Sequence, residues 1–329
     1  MTTSAERITA AAGISELAAE AERAKVSYGD DALVVCDRLV RIYAAEGIEV
    51  QALQGLDLLI NEGELTAMVG ASGSGKSTLM NILAGLDTPT AGTVKVASRD
   101  LASMSSRERL VYRRDVVGFI WQQTSRNLLP YLTATQNVVT PMRFSGVSRR
   151  ARNARAAELL GVLGITHCAD RRPDQMSGGE QQRTAIATAL ANKPDLLLAD
   201  EPTGELDSAT AQDVFAALQT ANTELGATVL VVTHDPAVSS QVRRTIAIAD
   251  GRTSTETLRQ SAADHAVEYA VLDRAGRLQL PLAMIEPLGM RDRVRLEAEP
   301  DHIAVWPDSA TPSTQPRDVS RGKHAREPR

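Results

Sequence analysis

The chain has 329 residues, of which 43% are hydrophobic and 23% charged, a composition typical of a globular protein with one large domain and a smaller one. Its net charge of -5 argues against a nucleic-acid duplex or an anionic membrane surface as the main partner. Cys36 and Cys168 are widely separated, which indicates a reducing compartment and predicts neither a disulfide nor a zinc framework.

The N-terminal region predicts an extension followed by antiparallel strands. Residues 1–33 are rich in Ala and Glu with a weak helical stripe, so we predict a partly ordered extension. That region lacks the pattern of a secretory signal, and no apolar run in the chain approaches the ~18 residues of a membrane span, so we expect no direct span. Residues 34–60 carry β-branched runs interrupted at Gly47 and Gly55, which is typical of antiparallel strands.

A phosphate-binding loop follows these strands. Residues 65–69 form a short apolar run, residues 77–86 have a helical pattern, and the segment between them fits G-x-x-x-x-G-K-[ST]. The glycines let successive backbone N–H groups point at an anion, and the helix N-terminus adds a positive dipole. We predict that Lys76 reaches the β- and γ-phosphates of a nucleoside triphosphate and that Ser77 binds Mg²⁺. The predicted nucleotide-binding residues of this loop are Gly70, Ala71, Ser72, Gly73, Ser74, Gly75, Lys76, Ser77 and Thr78.

Strand and helix patterns alternate along the rest of the large domain. Residues 133–169 are predicted to be largely helical, with interruptions at Pro141 and Gly146. Strands that alternate with helices after a phosphate-binding loop predict a doubly wound α/β domain. The apolar runs typical of buried strands are residues 116–121, 195–200, 228–232 and 245–248.

Two carboxylates end one of these runs. Asp200 and Glu201 follow a buried strand, so we expect them at the carboxyl edge of the sheet, where ligands of open α/β sheets bind. Asp200 suits Mg²⁺, directly or through water, and Glu201 is placed to polarise an attacking water as a general base. Capping of a following helix is the alternative role for such a pair.

The most specific motif is the segment Met176-Ser177-Gly178-Gly179-Glu180-Gln181-Gln182-Arg183. Ser177 is placed to cap the next helix, and the two glycines leave its N–H groups uncovered for an anion. This run resembles the signature motif of the ATP-binding-cassette (ABC) ATPases, and the resemblance covers residues 34–253. It implies the α/β fold of an ABC-type P-loop NTPase, with a RecA-like core sheet, an antiparallel β subdomain and an α-helical subdomain.

The resemblance also implies roles for individual residues. Tyr43 matches the aromatic residue that stacks on adenine, although a lone Tyr in a strand is also typical of a core position. Gln122 matches the glutamine that senses Mg²⁺ and water, Asp207 the aspartate that acts across the dimer, and His234 the switch histidine at the γ-phosphate. The implied catalytic set is Glu201, His234, Gln122 and Lys76. The implied Mg²⁺ ligands are Ser77, Gln122 and Asp200. The implied signature contacts to nucleotide are Ser177, Gly178, Gly179 and Glu180.

Departures from the family pattern leave this chemistry intact. Trp121 stands where relatives usually have Phe, Ala71 where many have Pro, and Glu180 where Gln is commoner. No phosphate, metal or base ligand is lost, so we predict an active ATPase. In this family the signature loop of one protomer closes on the ATP held by the other, which implies a homodimer around two ATP.

The segment after Gln122 indicates a branch of the family. Residues 122–137 resemble the branch that contains lipoprotein-releasing, macrolide-export and cell-division ATPases. Its members pair with a permease that has few spans and a large extracytoplasmic domain, so we predict that residues 124–137 receive the permease's coupling helix through Leu128, Leu129 and Tyr131. The resemblance implies a peripheral location at the cytoplasmic face of the cell membrane, driving export, lipoprotein extraction or mechanotransmission.

Two alternatives remain open at this stage. ATPases that drive the import of small polar solutes such as amino acids carry the same core motifs. The other alternative is a soluble ABC protein that acts on nucleic acid, although such proteins usually carry two cassettes or a coiled-coil insertion, and the sequence has neither pattern.

The residues after position 253 lie beyond the ABC-like region. Residues 254–264 are polar and predict a linker, whereas residues 265–308 alternate strand and turn patterns and resemble a small, mainly-β AbrB-like domain. Between Arg252 and Asp308 there are seven Lys/Arg and ten Asp/Glu, a net charge of -3, which disfavours DNA and favours a dimerisation or regulatory module. Residues 309–329 are predicted to be disordered.

Overall fold

The computed structural model describes residue 29 and residues 31–45, 48–123, 126–259, 266–273, 276–290 and 293–308. The chain divides into two compact units, residues 1–279 and residues 280–329. Most of the predicted N-terminal extension and the whole predicted tail, residues 309–329, lie outside the described residues.

A four-stranded antiparallel sheet begins the first unit. Its strands are β1 (Ala32–Ala45), β2 (Ile48–Asn61), β4 (Ala91–Val96) and β5 (Arg99–Asp100), in the order β2-β1-β4-β5. The predicted break at Gly55 is wrong, because Gly55 lies inside β2. The pairs Leu39–Leu56 and Val40–Gln54 leave Gly55 opposite no residue of β1, and its φ of +86° marks a bulge. Gly47 lies outside the described residues.

A seven-stranded sheet forms the centre of the first unit, in the order β11-β10-β9-β3-β8-β7-β6. The strands from β9 to β6 are parallel, while β10 and β11 are antiparallel additions at one edge. The predicted doubly wound core is therefore confirmed. Its strands are β3 (Leu65–Val69), β6 (Val117–Ile120), β7 (Leu196–Asp200), β8 (Thr228–Val232), β9 (Arg244–Ala249), β10 (Arg252–Leu258) and β11 (Val267–Ala270).

The strands β10 and β11 lie where the sequence predicts a linker and the start of a separate domain. Residues 254–258, predicted to belong to a linker, lie in β10 and pair with β9. Residues 267–270, predicted to belong to a separate β-rich domain, form β11 and pair with β10. The polar composition of β10 is compatible with a strand because Ser254 and Thr255 are buried while their neighbours are only partly covered.

Helices cover the faces of the large sheet. The prediction that Pro141 interrupts a helix is wrong, because Pro141 lies inside α3. Burial of Val138, Val139 and Met142 from the same helix in the core offsets the backbone hydrogen bond that proline cannot donate. Within the described residues, the α-helices of the first unit are α1 (Lys76–Leu83), α2 (Ser106–Asp115), α3 (Ala134–Phe144), α4 (Arg149–Val162), α5 (Gly178–Ala189), α6 (Ser208–Leu225) and α7 (Pro236–Ser239).

Alternate residues of the central strands enter two hydrophobic cores, as expected when side chains alternate across a sheet buried on both faces. In β7, Leu197 and Ala199 pack with the helices α3 to α6, whereas Leu196 and Leu198 pack with α1 and the antiparallel sheet. This alternation explains why residues 195–200 appear in the sequence as a continuous apolar run.

Gly118 of β6 sets the distance between the sheet and α5. A Cβ atom there would lie 2.5 Å from the backbone oxygen of Ala189 and 3.0 Å from the Leu197 side chain. We expect Gly118→Ala to lower the free energy of unfolding by about 1–3 kcal/mol, because the neighbouring atom is backbone. Urea denaturation measures the effect.

The matched control is Gly161→Ala in α4. The added methyl group would have only Thr166 Oγ1 near it, at 3.9 Å, and alanine favours a helix over glycine by about 0.5–1 kcal/mol. An equal loss of stability in both variants would contradict the close packing at Gly118.

The second unit contains a short helix and a hairpin. Its elements are α8 (Leu282–Ile285), β12 (Val294–Ala298) and β13 (Ile303–Pro307), and the last two pair antiparallel. These strands agree with the small β-rich module that the sequence predicts, while the AbrB-like resemblance itself stays a prediction. Among the described residues, no helix has both the length and the apolar character to cross a membrane.

Candidate functional site

The predicted phosphate-binding loop lies between the end of β3 and the start of α1. Gly70, Gly73 and Gly75 have φ angles of +156°, +78° and +104°. A Cβ atom at Gly70 would lie 2.3 Å from the backbone oxygen of Ile248, and one at Gly75 would lie 2.6 Å from that of Ala52. No larger residue fits these two positions without moving backbone, so the loop is a tight cradle of main-chain groups.

The N-terminus of α1 points into this cradle. Gly75 occupies the cap position, and no side chain of the described residues caps the helix there, so the first backbone N–H groups are available to an anion. The Lys76 ammonium group donates to the carbonyl oxygens of Gly70 and Ala71, each at 2.8 Å, and so lies within the loop. Ser77 and Thr78 follow directly in α1.

Two carboxylates lie at the carboxyl end of β7, as predicted. Burial raises the pKa of Asp200, and the charge of Glu201 raises it further, while Lys76 acts in the opposite direction. The influence of Lys76 on Asp200 shows that the strand end and the loop share one electrostatic environment. Glu201 adopts φ +44°, an unusual conformation for a residue with a side chain, and its N–H donates to Val232 O at 2.9 Å.

Three predicted residues from three neighbouring strand ends meet at the Glu201 carboxylate. His234 Nδ1, after β8, lies 3.1 Å from Glu201 Oε2. Gln122 Nε2, after β6, lies 3.4 Å from the same oxygen. Because parallel strands end at one edge of the sheet, residues far apart in the sequence are brought together here. The alternative role of Glu201 as a helix cap is not what the structure shows, since α6 begins at Ser208 and Asp207 caps it.

The predicted signature motif forms a capped helix start. The Ser177 hydroxyl accepts a hydrogen bond from Glu180 N, and Glu180 Oε2 accepts one from Ser177 N at 2.8 Å, which completes a capping box. The hydrogen bond with His167, followed by that from Ser177 N, lowers the pKa of Glu180 to about 2. A Cβ atom at Gly179 would lie 2.5 Å from the Thr210 side chain, so α5 and α6 approach closely.

Asp207 is held within its own protomer. Its carboxylate accepts hydrogen bonds from the backbone N–H groups of Ala209 and Thr210 and from the Thr210 hydroxyl at 2.6 Å. The bond from the Thr210 hydroxyl is the main reason that the pKa of Asp207 is lowered. Asp207 is also predicted to act across a dimer. It would have to do so while it caps α6.

Tyr43 lies in a small polar cluster on β1. Its hydroxyl donates to Asp87 Oδ2 at 2.8 Å, and the Arg41 guanidinium lies 4.4 Å from its ring centroid. Although partial burial raises the pKa of Asp87, hydrogen bonds led by the one from Tyr43 hold it below its usual value. No local sequence pattern points to Arg41 and Asp87, which lie 46 residues apart in the chain.

Comparisons with known proteins agree with this geometry. Residues 53–204 match the family model described as "ABC transporter". The chain is 43% identical over 216 residues to the lipoprotein-releasing system ATP-binding protein LolD 1 of Rhodospirillum rubrum, covering 66% of this chain and 95% of that protein. It is 42% identical over 261 residues to the macrolide export ATP-binding/permease protein MacB of Salmonella typhi, covering 79% of this chain.

Solved structures give the same result. A dimeric ATP-binding cassette, MJ0796, in a post-hydrolysis state bound to ADP and Pi, is 40% identical, with a TM-score of 0.62 and coverage of 68% of this chain and 98% of that one. The chain spans only 40% of the length of the macrolide-export relative. Because it nevertheless matches nearly the whole of the LolD relative and of the solved cassette, the chain belongs to the ATP-binding-cassette (ABC) ATPases.

Proposed function

We propose that the chain is the nucleotide-binding subunit of an ABC transporter and hydrolyses ATP to drive a separate membrane permease. The observation that carries the proposal is the meeting of Gln122 and His234 at the Glu201 carboxylate, on the sheet edge that also bears the phosphate-binding loop. A carboxylate held by two polar side chains beside an anion cradle suits hydrolysis of a phosphate anhydride.

In the proposed mechanism, the residues of the site bind phosphate, accept a proton, position the base or offer metal ligands. The loop amides and Lys76 bind the phosphates, and Glu201 accepts a proton from the water that attacks the γ-phosphorus. Gln122 and His234 hold the Glu201 carboxylate in position. Ser77, Gln122 and Asp200 offer the oxygen ligands that Mg²⁺ prefers, so the residues present fit this ion, which when bound offsets phosphate charge.

We propose that the working unit is a homodimer around two ATP. The hydrogen bonds of Ser177 and Glu180 described above stay within residues 167–180, whereas those of Lys76 stay within residues 70–74. Within one protomer, the hydrogen bonds of the signature motif and those of the phosphate-binding loop therefore involve different residues. The dimeric state of the MJ0796 cassette supports closure of the signature motif on a partner's nucleotide.

We propose residues 124–137 as the docking segment for the permease, with one change to the predicted contacts. Leu128 is only 5% exposed and packs inside the protomer, so it is not available to a partner, whereas Leu129 and Tyr131 are 40% and 64% exposed. The side-chain amide of Asn137 bonds to the backbone of Leu129 at both N and O, which holds this segment in place.

We expect the double change Leu129→Ala and Tyr131→Ala to abolish copurification of the chain with its permease from native membranes. Both side chains are exposed apolar surface, so their loss removes contact area without disturbing the core. Basal ATP hydrolysis by the isolated chain should be unchanged. Leu110→Ala is the control, because Leu110 is 60% exposed on α2. Recovery of the permease with the double variant would contradict the docking assignment.

The names of the relatives favour one branch. LolD is named for lipoprotein release and MacB for macrolide export, which supports a permease of that kind over an importer of small polar solutes. We further propose a peripheral location at the cytoplasmic face of the cell membrane, held by the permease. Identification of the protein that copurifies with the unaltered chain tests both statements.

A further inference from the structure

A histidine, a cysteine and a glutamate side chain meet beside the first turn of α5, where the signature motif lies. His167 and Cys168 lie in the short 3-10 turn Thr166–Cys168, and Glu180 lies in the first turn of α5. The ring nitrogen, the thiol sulfur and the carboxylate oxygen that these residues offer all lie within 4.8 Å of one another. Neither cysteine has a sequence neighbour at a typical ligand spacing, so only the fold reveals this group.

Hydrogen bonds to the surrounding backbone hold Cys168 and Glu180 in place. Cys168 N donates to Ile165 O at 2.9 Å, and Cys168 O accepts from Arg171 N at 2.9 Å, so the turn is closed on both sides. Glu180 is held by its capping-box bond from Ser177 N, which uses Oε2 and leaves Oε1 facing His167 Nε2 at 2.7 Å. Local structure therefore holds the thiol and the carboxylate close to His167.

We propose that His167, Cys168 and Glu180 bind one Zn²⁺ ion, with water as the fourth ligand. Imidazole nitrogen, thiolate sulfur and carboxylate oxygen are the three protein donors that Zn²⁺ takes, and three protein ligands plus water is a common tetrahedral arrangement. The mixed donor set, with sulfur and imidazole, disfavours Mg²⁺ and Ca²⁺, which take oxygen ligands.

The charges around the group decide whether an ion can enter. Arg171 Nη1 lies 3.9 Å from Glu180 Oε1, but its side chain is 48% exposed and can turn toward solvent. His167 is also exposed, with 53% of its side chain accessible, whereas Cys168 is buried, so the solvent side of the proposed site is at His167. The alternative is a hydrogen-bonded cluster without a metal, in which Glu180 bonds to both His167 and the Cys168 thiol.

Zinc at this position would act on the signature motif. Glu180 would bind the ion through Oε1 while Oε2 still accepts from Ser177 N, so one side chain would connect the ion to the residue that caps α5. The proposal needs no nucleotide and no hydrolysis, and its failure would leave the proposed ATPase function untouched.

Titration with Co²⁺ and then Zn²⁺ tests the proposal on the full chain, without an affinity tag, after removal of metal by a chelator. We expect one equivalent of Co²⁺ to give thiolate-to-cobalt charge-transfer absorption that Zn²⁺ abolishes. Cys168→Ser should remove this absorption, and Cys36→Ser, which changes the other buried cysteine, should retain it.

His167→Gln provides a second variant at an exposed position, so loss of folding is not a concern. We expect it to weaken Zn²⁺ binding by about 10- to 100-fold or more, measured by competition with a chromophoric chelator. Absence of the cobalt absorption, its persistence in Cys168→Ser, or unchanged Zn²⁺ affinity in His167→Gln would overturn the zinc site and leave the hydrogen bonds of Glu180 with His167 and Cys168 as the role of these residues.

Discussion

Glu201→Gln should slow ATP hydrolysis by about 10²- to 10⁴-fold, because the amide cannot accept the proton of the attacking water. The amide keeps the size of the carboxylate and can still bond to Gln122 and His234, so the site should keep its shape. Nucleotide binding should persist, and ATP-bound dimers should accumulate because the step that separates them is lost. Steady-state phosphate release and size-exclusion chromatography with ATP measure the two effects.

The control for this variant is Glu224→Gln, an exposed glutamate near the C-terminal end of α6. It should match the unaltered chain in both assays. Unchanged turnover in Glu201→Gln would remove Glu201 from the mechanism, and loss of ATP binding would mean that the residue supports the structure of the site instead.

Lys76→Met should weaken ATP binding by about 10- to 100-fold, since a hydrogen bond to a charged group contributes about 1.5–3 kcal/mol and each 1.4 kcal/mol is a factor of ten. The change also removes the hydrogen bonds to the carbonyl oxygens of Gly70 and Ala71, which leaves the loop less ordered. Hydrolysis should fall at least as far as binding. Equilibrium dialysis with labelled ATP measures the affinity.

Lys95→Met is the matched control, because Lys95 is exposed on β4 and belongs to no predicted site. Retention of full affinity in Lys76→Met would contradict the assignment of residues 70–78 as the phosphate cradle. Comparable losses in both variants would point to a general effect of charge.

The parts of the site that the sequence could predict are those with a contiguous pattern. The loop at residues 70–78 and the motif around Ser177 require glycines at fixed spacing, because backbone must approach a phosphate or another helix closely. The family resemblance then supplied Gln122 and His234, whose meeting at Glu201 depends on strand order, which no local pattern encodes.

The parts that the sequence analysis missed depend on contacts between distant residues. Arg41 and Asp87 pair across 46 positions, and the link between Asn137 and Leu129 joins a helix to a loop. Leu128 has the composition of a docking contact, but its burial depends on how the whole helical region packs. A single residue's exposure is a property of the fold, so hydrophobicity alone could not separate Leu128 from Leu129.

Residues 254–258 show a third kind of wrong prediction. Serine, threonine and glutamate there suggested a linker, yet threonine is a good strand former and the segment pairs with β9 on one side and β11 on the other. The segment forms a strand because the edge of β9 is available to pair with it, and the local sequence does not reveal that edge.

That pairing has a practical consequence for anyone who shortens this protein. The recognisable motifs end before Gly251, but removal of everything after that glycine would strip β10 and β11 and uncover the main-chain donors and acceptors of β9. Exposed edges of this kind recruit other chains and promote aggregation. A cut at the junction of the two compact units, between Gln279 and Leu280, would keep both strands.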